Sequence, residues 1–137
     1  MDHYGIELII DLHGCSTEKF TREGITEYFR QLCDLIKMKR EALHFWDYED
    51  CPEEKEIAPD HLVGTSGIQF ISTSNVTIHT LEILKQVFIN IFTCKDFTPE
   101  FALKFTEQYF QSTQSRTTII TRGKLSNGRN WNDFRRY

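Results

Sequence analysis

Apolar positions along this 137-residue chain change period several times, and each change marks an element. Ile6 to Leu12 alternates weakly and is rich in β-branched side chains, which predicts a buried strand ended by the turn signal His13-Gly14. The period then lengthens. Ile25, Phe29, Leu32 and Ile36 recur at helical spacing, with Tyr28 and Leu35 widening the stripe, so a helix is predicted to open at Thr21 or Glu23. Lys37, Lys39 and Arg40 suit the negative end of its dipole. Ala42 to Tyr48 predicts a second strand, with Leu43, Phe45 and Asp47 on one face and His44, Trp46 and Tyr48 on the other. Glu49 to Pro59 has no period, contains Pro52 and Pro59, and is expected to be a mobile surface loop.

His61 to Gly64 leads into three closely spaced strands: Ile68 to Ser72, Asn75 to Leu81 a tight corner away, and Val87 to Thr93. Thr98-Pro99-Glu100 carries a helix start, with Thr98 as N-cap, Pro99 in the first helical position and an acid in the first turn. Phe101, Ala102, Phe105 and Tyr109 are expected on its apolar side, and Thr117 to Thr121 as a last strand. Gly123, Asn127, Gly128 and Asn130 leave the rest without a period, and no internal repeat is present. The order β, α, β, β, β, β, α, β predicts one α+β domain over residues 1–137: a two-layer sandwich, an antiparallel sheet with two helices packed on one face.

Composition narrows the class. An apolar fraction of 39% and a charged fraction of 26% are ordinary for a globular domain, and no apolar run is long enough to span a membrane. The first residues do not resemble a signal peptide, so a cytoplasmic location is expected. Cys15, Cys33, Cys51 and Cys94 lack metal-site spacing and are too sparse for a disulfide framework, so reduced thiols and no metal are expected, with Cys33 as inert helix packing. The net charge of -4 is uneven. Acids crowd Asp47 to Asp60, while the basic tail at 123–137 is expected to lie over that acidic loop, in its own or a neighbouring subunit, rather than on nucleic acid.

The chemistry-bearing side chains cluster between Ser66 and Cys94. Ser66, Ser74, His79 and Cys94 are nucleophilic or proton-shuttling groups set in strand-like sequence. Taken singly, each has a plainer reading: a turn serine, a packed neutral imidazole, a core thiol. The spacing changes that. Ser66-Gly67-Ile68-Gln69-Phe70-Ile71-Ser72-Thr73-Ser74-Asn75-Val76-Thr77-Ile78-His79-Thr80, followed by Phe92-Thr93-Cys94, resembles the prokaryotic class of S-adenosylmethionine decarboxylase proenzymes, whose core reads roughly S-G-V-x-x-I-S-E-S-H-L-x-I-H-T-W-P-E and later D-x-F-T-C. The run Gly5-Ile6-Glu7-Leu8-Ile9-Ile10-Asp11-Leu12-His13-Gly14-Cys15 resembles that family's opening strand.

The resemblance implies self-cleavage between Thr73 and Ser74, giving a β chain of residues 1–73 and an α chain of residues 74–137 that begins with a pyruvoyl group derived from Ser74. It implies His79 as the processing base, histidine being the side chain that changes charge near neutrality. Ser66 would orient the reacting carbonyl, and Cys94 would return a proton to the substrate Cα after Schiff-base formation and loss of carbon dioxide. It further implies S-adenosylmethionine as substrate, supply of the aminopropyl donor for spermidine synthesis, and a homodimer with active sites near the subunit interface.

Departures from the pattern fall on the substrate side. Thr73 and Asn75 replace residues with no obligatory part in the acyl shift, whereas Leu81-Glu82-Ile83 replaces W-P-E and Asn90 replaces an aspartate. Glu82, one position early, is the candidate for the ribose-binding acid. Two alternatives stay open: a pyruvoyl-dependent arginine or ornithine decarboxylase, and an unprocessed, non-catalytic partner subunit. Strict alternation puts Ser74 on one face with Val76 and Ile78 and His79 on the other, so a corner or bulge at Ser74 is expected.

Overall fold

The computed structural model describes residues 3–124. Six strands, β1 (Gly5–His13), β2 (Arg40–Trp46), β3 (Gly64–Ile71), β4 (Ser74–Leu81), β5 (Gln86–Thr93) and β6 (Gln114–Arg122), pair antiparallel in the order β2-β3-β4-β5-β1-β6. Two longer helices, α1 (Arg22–Leu35) and α3 (Pro99–Phe110), cover one face, giving the expected α+β sandwich. The strand patterns place alternate residues in the core: Leu8, Ile10 and Leu12 from β1, Val76 and Ile78 from β4, and Val87, Ile89 and Ile91 from β5 are buried under the helices.

Helix α1 starts where the sequence signals it. Thr21 is the N-cap, and its hydroxyl accepts from Gly24 N at 3.0 Å. Ile25, Tyr28, Phe29, Leu32 and Cys33 are buried, but Leu35 is exposed. At about 100° per residue it falls just outside that arc. The same geometry corrects α3: Ala102, Thr106 and Phe110 are buried, with Phe105 and Tyr109 half-buried beside them, while Phe101 points to solvent. The Thr106 hydroxyl donates to Ala102 O at 2.7 Å and is therefore the acceptor for the buried Tyr28 hydroxyl at 2.8 Å, which bolts the two helices together.

The segment Glu49 to Pro59, expected as a mobile loop, holds a short helix, α2 (Pro52–Ile57), and a 3-10 turn follows it at Asp60–Leu62. Pro52 sits in its first turn with Glu53 and Glu54, a start signal that the lack of any apolar period hides. The strand at β2 begins two residues earlier than the pattern suggests, because an extra residue between Arg40 and Leu43 forms a bulge. Gln69, buried in β3, fills the gap in the ladder: its Nε2 lies 3.0 to 3.3 Å from the carbonyls of Glu41, Ala42 and Phe70. No bulge exists at Ser74. The register of β3 with β4 is unbroken from Gly64↔Leu81 to Ile71↔Ser74, so Ser74 and His79 stay on opposite faces. The basic tail beyond Lys124, expected over the acidic segment, lies outside the described residues.

Candidate active site

Ser72 and Thr73 form a two-residue loop closing the β3–β4 hairpin. Thr73 takes φ +55°, a left-handed conformation that a β-branched residue rarely adopts. Its hydroxyl donates to Ser72 O at 2.8 Å. The next residue, Ser74, points to the helix-covered side and is only 6% exposed. Its Oγ is buried with no hydrogen-bond partner. A hydroxyl left unsatisfied costs about 1–3 kcal/mol, so this oxygen sits at a costly position next to a strained peptide.

Ser74 and Cys94 share a cavity of about 280 Å³. It lies where the loop after β5 meets the segment leaving α1, and Lys37, Lys39 and Lys95 also line it. Cys94 is exposed, whereas Cys15 and Cys33 are buried and their thiols are pushed up to about 11 by desolvation. Two features that sequence reasoning passes over hold the Cys94 loop. The buried Thr93 hydroxyl accepts from Lys95 N at 3.0 Å, and Gly5 lies so close that a Cβ there would stand 2.2 Å from Thr93 O and 2.8 Å from Cys94 Cα. Only the long-range pairing of β1 with β5 puts Gly5 there, so no local signal marks it.

Ser66 and His79 form a second pair on the opposite, helix-free face. They are cross-strand partners, and Ser66 Oγ lies 2.8 Å from His79 Nδ1. His79 stands five positions after Ser74, about 16 Å along β4. Glu82 follows the far end of β4, where Lys55 Nζ bridges it at 3.2 Å. Asn90, on the same open face as His79, donates to Glu7 Oε1 at 2.8 Å, and Glu7 is also bridged by Arg122. The structure thus brings Ser74 to Cys94 and Ser66 to His79, but neither pair to the other.

A larger cleft of about 670 Å³ surrounds Glu82. Most of its charges are spent on one another: Arg22 grips Asp47 through two bonds of 2.7 and 2.9 Å and reaches Glu49 at 2.8 Å, and Lys55 holds Glu82. The Arg22 hydrogen bond holds the Asp47 carboxyl below its usual range. No nucleophile proposed from sequence lines this cleft, so the smaller cavity is the better candidate. Among the described residues no cluster of His, Cys, Asp or Glu is placed to hold a metal ion, and no helix is long and apolar enough to cross a membrane.

Comparison with known proteins places the chain in a family. Residues 6–123 match the family model described as S-adenosylmethionine decarboxylase. An S-adenosylmethionine decarboxylase proenzyme of Clostridium botulinum strain Hall is 30% identical over 127 residues, covering 91% of this chain and 99% of the relative. A proenzyme of the same description from strain Langeland is 33% identical over 95 residues, covering 69% of this chain and 72% of that one. The crystal structure of the adenosylmethionine decarboxylase from Aquifex aeolicus superposes with a TM-score of 0.72 at 17% identity, covering 95% of this chain and 99% of that one, a likeness of fold. With the family model spanning nearly the whole sheet and both covering helices, and the strain Hall relative matched almost end to end, this chain belongs to the S-adenosylmethionine decarboxylase family.

Proposed function

We propose that this chain is a self-processing decarboxylase of S-adenosylmethionine whose pyruvoyl group is made from Ser74. The observation that carries the reading is the Ser74 hydroxyl, buried without a partner, following the left-handed Thr73 and opening on the cavity it shares with Cys94. Those residues fit such a group: a free hydroxyl to make it, a strained bond before it, and a thiol beside it.

The processing step uses the chain's own atoms. Ser74 Oγ attacks the Thr73 carbonyl carbon, the C–N bond breaks, and the Thr73 acyl group moves to an ester on Oγ. Removal of the Ser74 Cα proton expels the Thr73 carboxylate and leaves dehydroalanine, which tautomerises to an imine. Water then displaces ammonia and leaves the ketone. When formed, that group supplies an electron sink for substrate decarboxylation. Cys94 then delivers a proton to the substrate Cα, a role that suits a thiol that is exposed and held by the Thr93–Lys95 turn.

The proton of the Ser74 Cα requires a base, and His79, hydrogen-bonded to Ser66, fills this role from a second copy of the chain. A base must come within about 3 Å of the proton's carbon or act through one water, and the separation along β4 forbids that within one protomer. Supporting a second copy, the β2–β3 end of the open face carries exposed Trp46, Ile68 and Phe70, an apolar surface of the kind that association covers. Glu82, at the same end of β4 as His79, is then supplied by the same partner as the candidate ribose-binding acid, once Lys55 yields it.

Release of labelled carbon dioxide tests the function. The wild-type protein is expected to decarboxylate S-adenosylmethionine and neither arginine nor ornithine, and Ser74→Ala none of them. Turnover of a free amino acid alone rejects the substrate, and turnover by Ser74→Ala rejects the pyruvoyl mechanism.

A further inference from the structure

The lysine side chains of the Ser74 cavity have no part in the scheme above. None of the residues lining that cavity is acidic, and Lys37, Lys39 and Lys95 all contribute to it. Lys39 stands 3.9 Å from Glu41 with both side chains open to water, which screens the pair. Lys95 is different, because it is tied at both ends. Its backbone N donates to Thr93 Oγ1 at 3.0 Å, and its Nζ donates to the carbonyl of Lys37 just past the C-terminus of α1. An ammonium carries three donors, so the bond to Lys37 fixes its position and leaves two for a ligand. The same cavity is lined by Ser74, whose Oγ is buried and unpartnered.

Resting on the reading that this cavity decarboxylates S-adenosylmethionine, we propose that Lys95 binds the substrate's α-carboxylate and thereby lets the cavity distinguish substrate from product. The two differ by one negative charge at that position. When the bond to Cα breaks, the electron pair stays with the Cα fragment and the carboxylate leaves as neutral carbon dioxide, so the attraction present for the substrate is absent for the product. Because that charge disperses as the bond stretches, the contact stabilises bound substrate more than the transition state. Its removal raises KM without lowering kcat. A lysine that served only to hold the Cys94 loop would show the reverse, a lower kcat with KM little changed.

Lys95→Met, Lys95→Arg and Lys95→Gln test this, with intact mass first confirming that each variant has cleaved. In Lys95→Met the KM for S-adenosylmethionine is expected to rise about tenfold, as for a lost hydrogen bond to a charged group, with kcat unchanged or higher. Lys95→Arg should recover much of the loss. Lys95→Gln, which retains a donor for Lys37 but not the charge, should behave as Lys95→Met even if the latter cleaves poorly. Calorimetric dissociation constants of decarboxylated S-adenosylmethionine and of S-adenosylmethionine methyl ester, which lack the negative charge, should be unchanged in all three. A fall in kcat at constant KM, or equal loss of affinity for substrate and product, overturns the carboxylate role. A wild-type protein that turns over no S-adenosylmethionine overturns instead the function on which it rests.

Discussion

Thr73→Gly isolates the strain at the scissile bond. Thr73 sits at φ +55°, where an L residue pays roughly 1–2 kcal/mol and glycine pays none. If that strain is stored in the uncleaved hairpin and released as the acyl group leaves nitrogen, glycine lowers the ground state and the barrier grows by the same amount. Self-cleavage should then slow about five- to thirtyfold, following the tenfold per 1.36 kcal/mol rule. Stability moves less, because glycine's extra freedom in the unfolded chain takes back about 0.5–1 kcal/mol, and the exposed bond from the Thr73 hydroxyl to Ser72 O is lost. The net change in an uncleavable Ser74→Ala background should lie between about 0 and 1.5 kcal/mol of stabilisation. Cleavage half-times come from intact mass against time after refolding, and stability from urea unfolding. Thr73→Asn, better tolerated in the left-handed region, should fall between glycine and threonine. Cleavage as fast or faster in Thr73→Gly, with the expected stability change present, refutes the idea that strain drives the step.

Three further outcomes follow from the same geometry. Cys94→Ala should cleave normally but turn over poorly, with the pyruvoyl terminus of the α chain gradually converted to alanine; wild-type turnover in this variant removes Cys94 from proton donation. Iodoacetamide at pH 8 should modify Cys94 first and leave Cys15 and Cys33 untouched until unfolding, since burial holds both near 11; early labelling of either contradicts the packing. The Arg22 bond depresses the folded Asp47 pKa, so its contribution is fully present above the unfolded value of about 3.9 and is lost as pH falls through the folded value. Asp47→Asn should therefore be less stable at neutral pH and show a flatter acid limb below about pH 4, and parallel urea midpoints for the two proteins across that range deny the linkage.

The elements were legible because period-2 and period-3.6 patterns report which face is buried, and that face is what folding selects. Ile25, Phe29 and Leu32 on α1, and Leu8, Ile10 and Leu12 on β1, lie where their spacing puts them. Leu35 and Phe101 failed because hydrophobicity alone does not fix the edge of a helix's buried arc. The short helix at Pro52–Ile57 failed because a mostly exposed helix has no apolar period to read. In the site, Ser74 and Cys94 could be paired from their spacing in a known pattern, and the structure gives them one cavity. Lys95 and Gly5 could not be read, since one acts through a carbonyl some sixty residues earlier and the other through β1–β5 pairing. The alternation along β4 holds without a bulge, and the separation of Ser74 from His79 that it implies is a property of the single chain.

Intact mass spectrometry of the purified, incubated protein bears most directly on the central claim. The account predicts two fragments meeting between Thr73 and the former Ser74, the second beginning with a ketone that borohydride reduces and edman chemistry cannot read, and a single full-length chain for Ser74→Ala. Wild-type protein that remains one full-length chain after long incubation contradicts it.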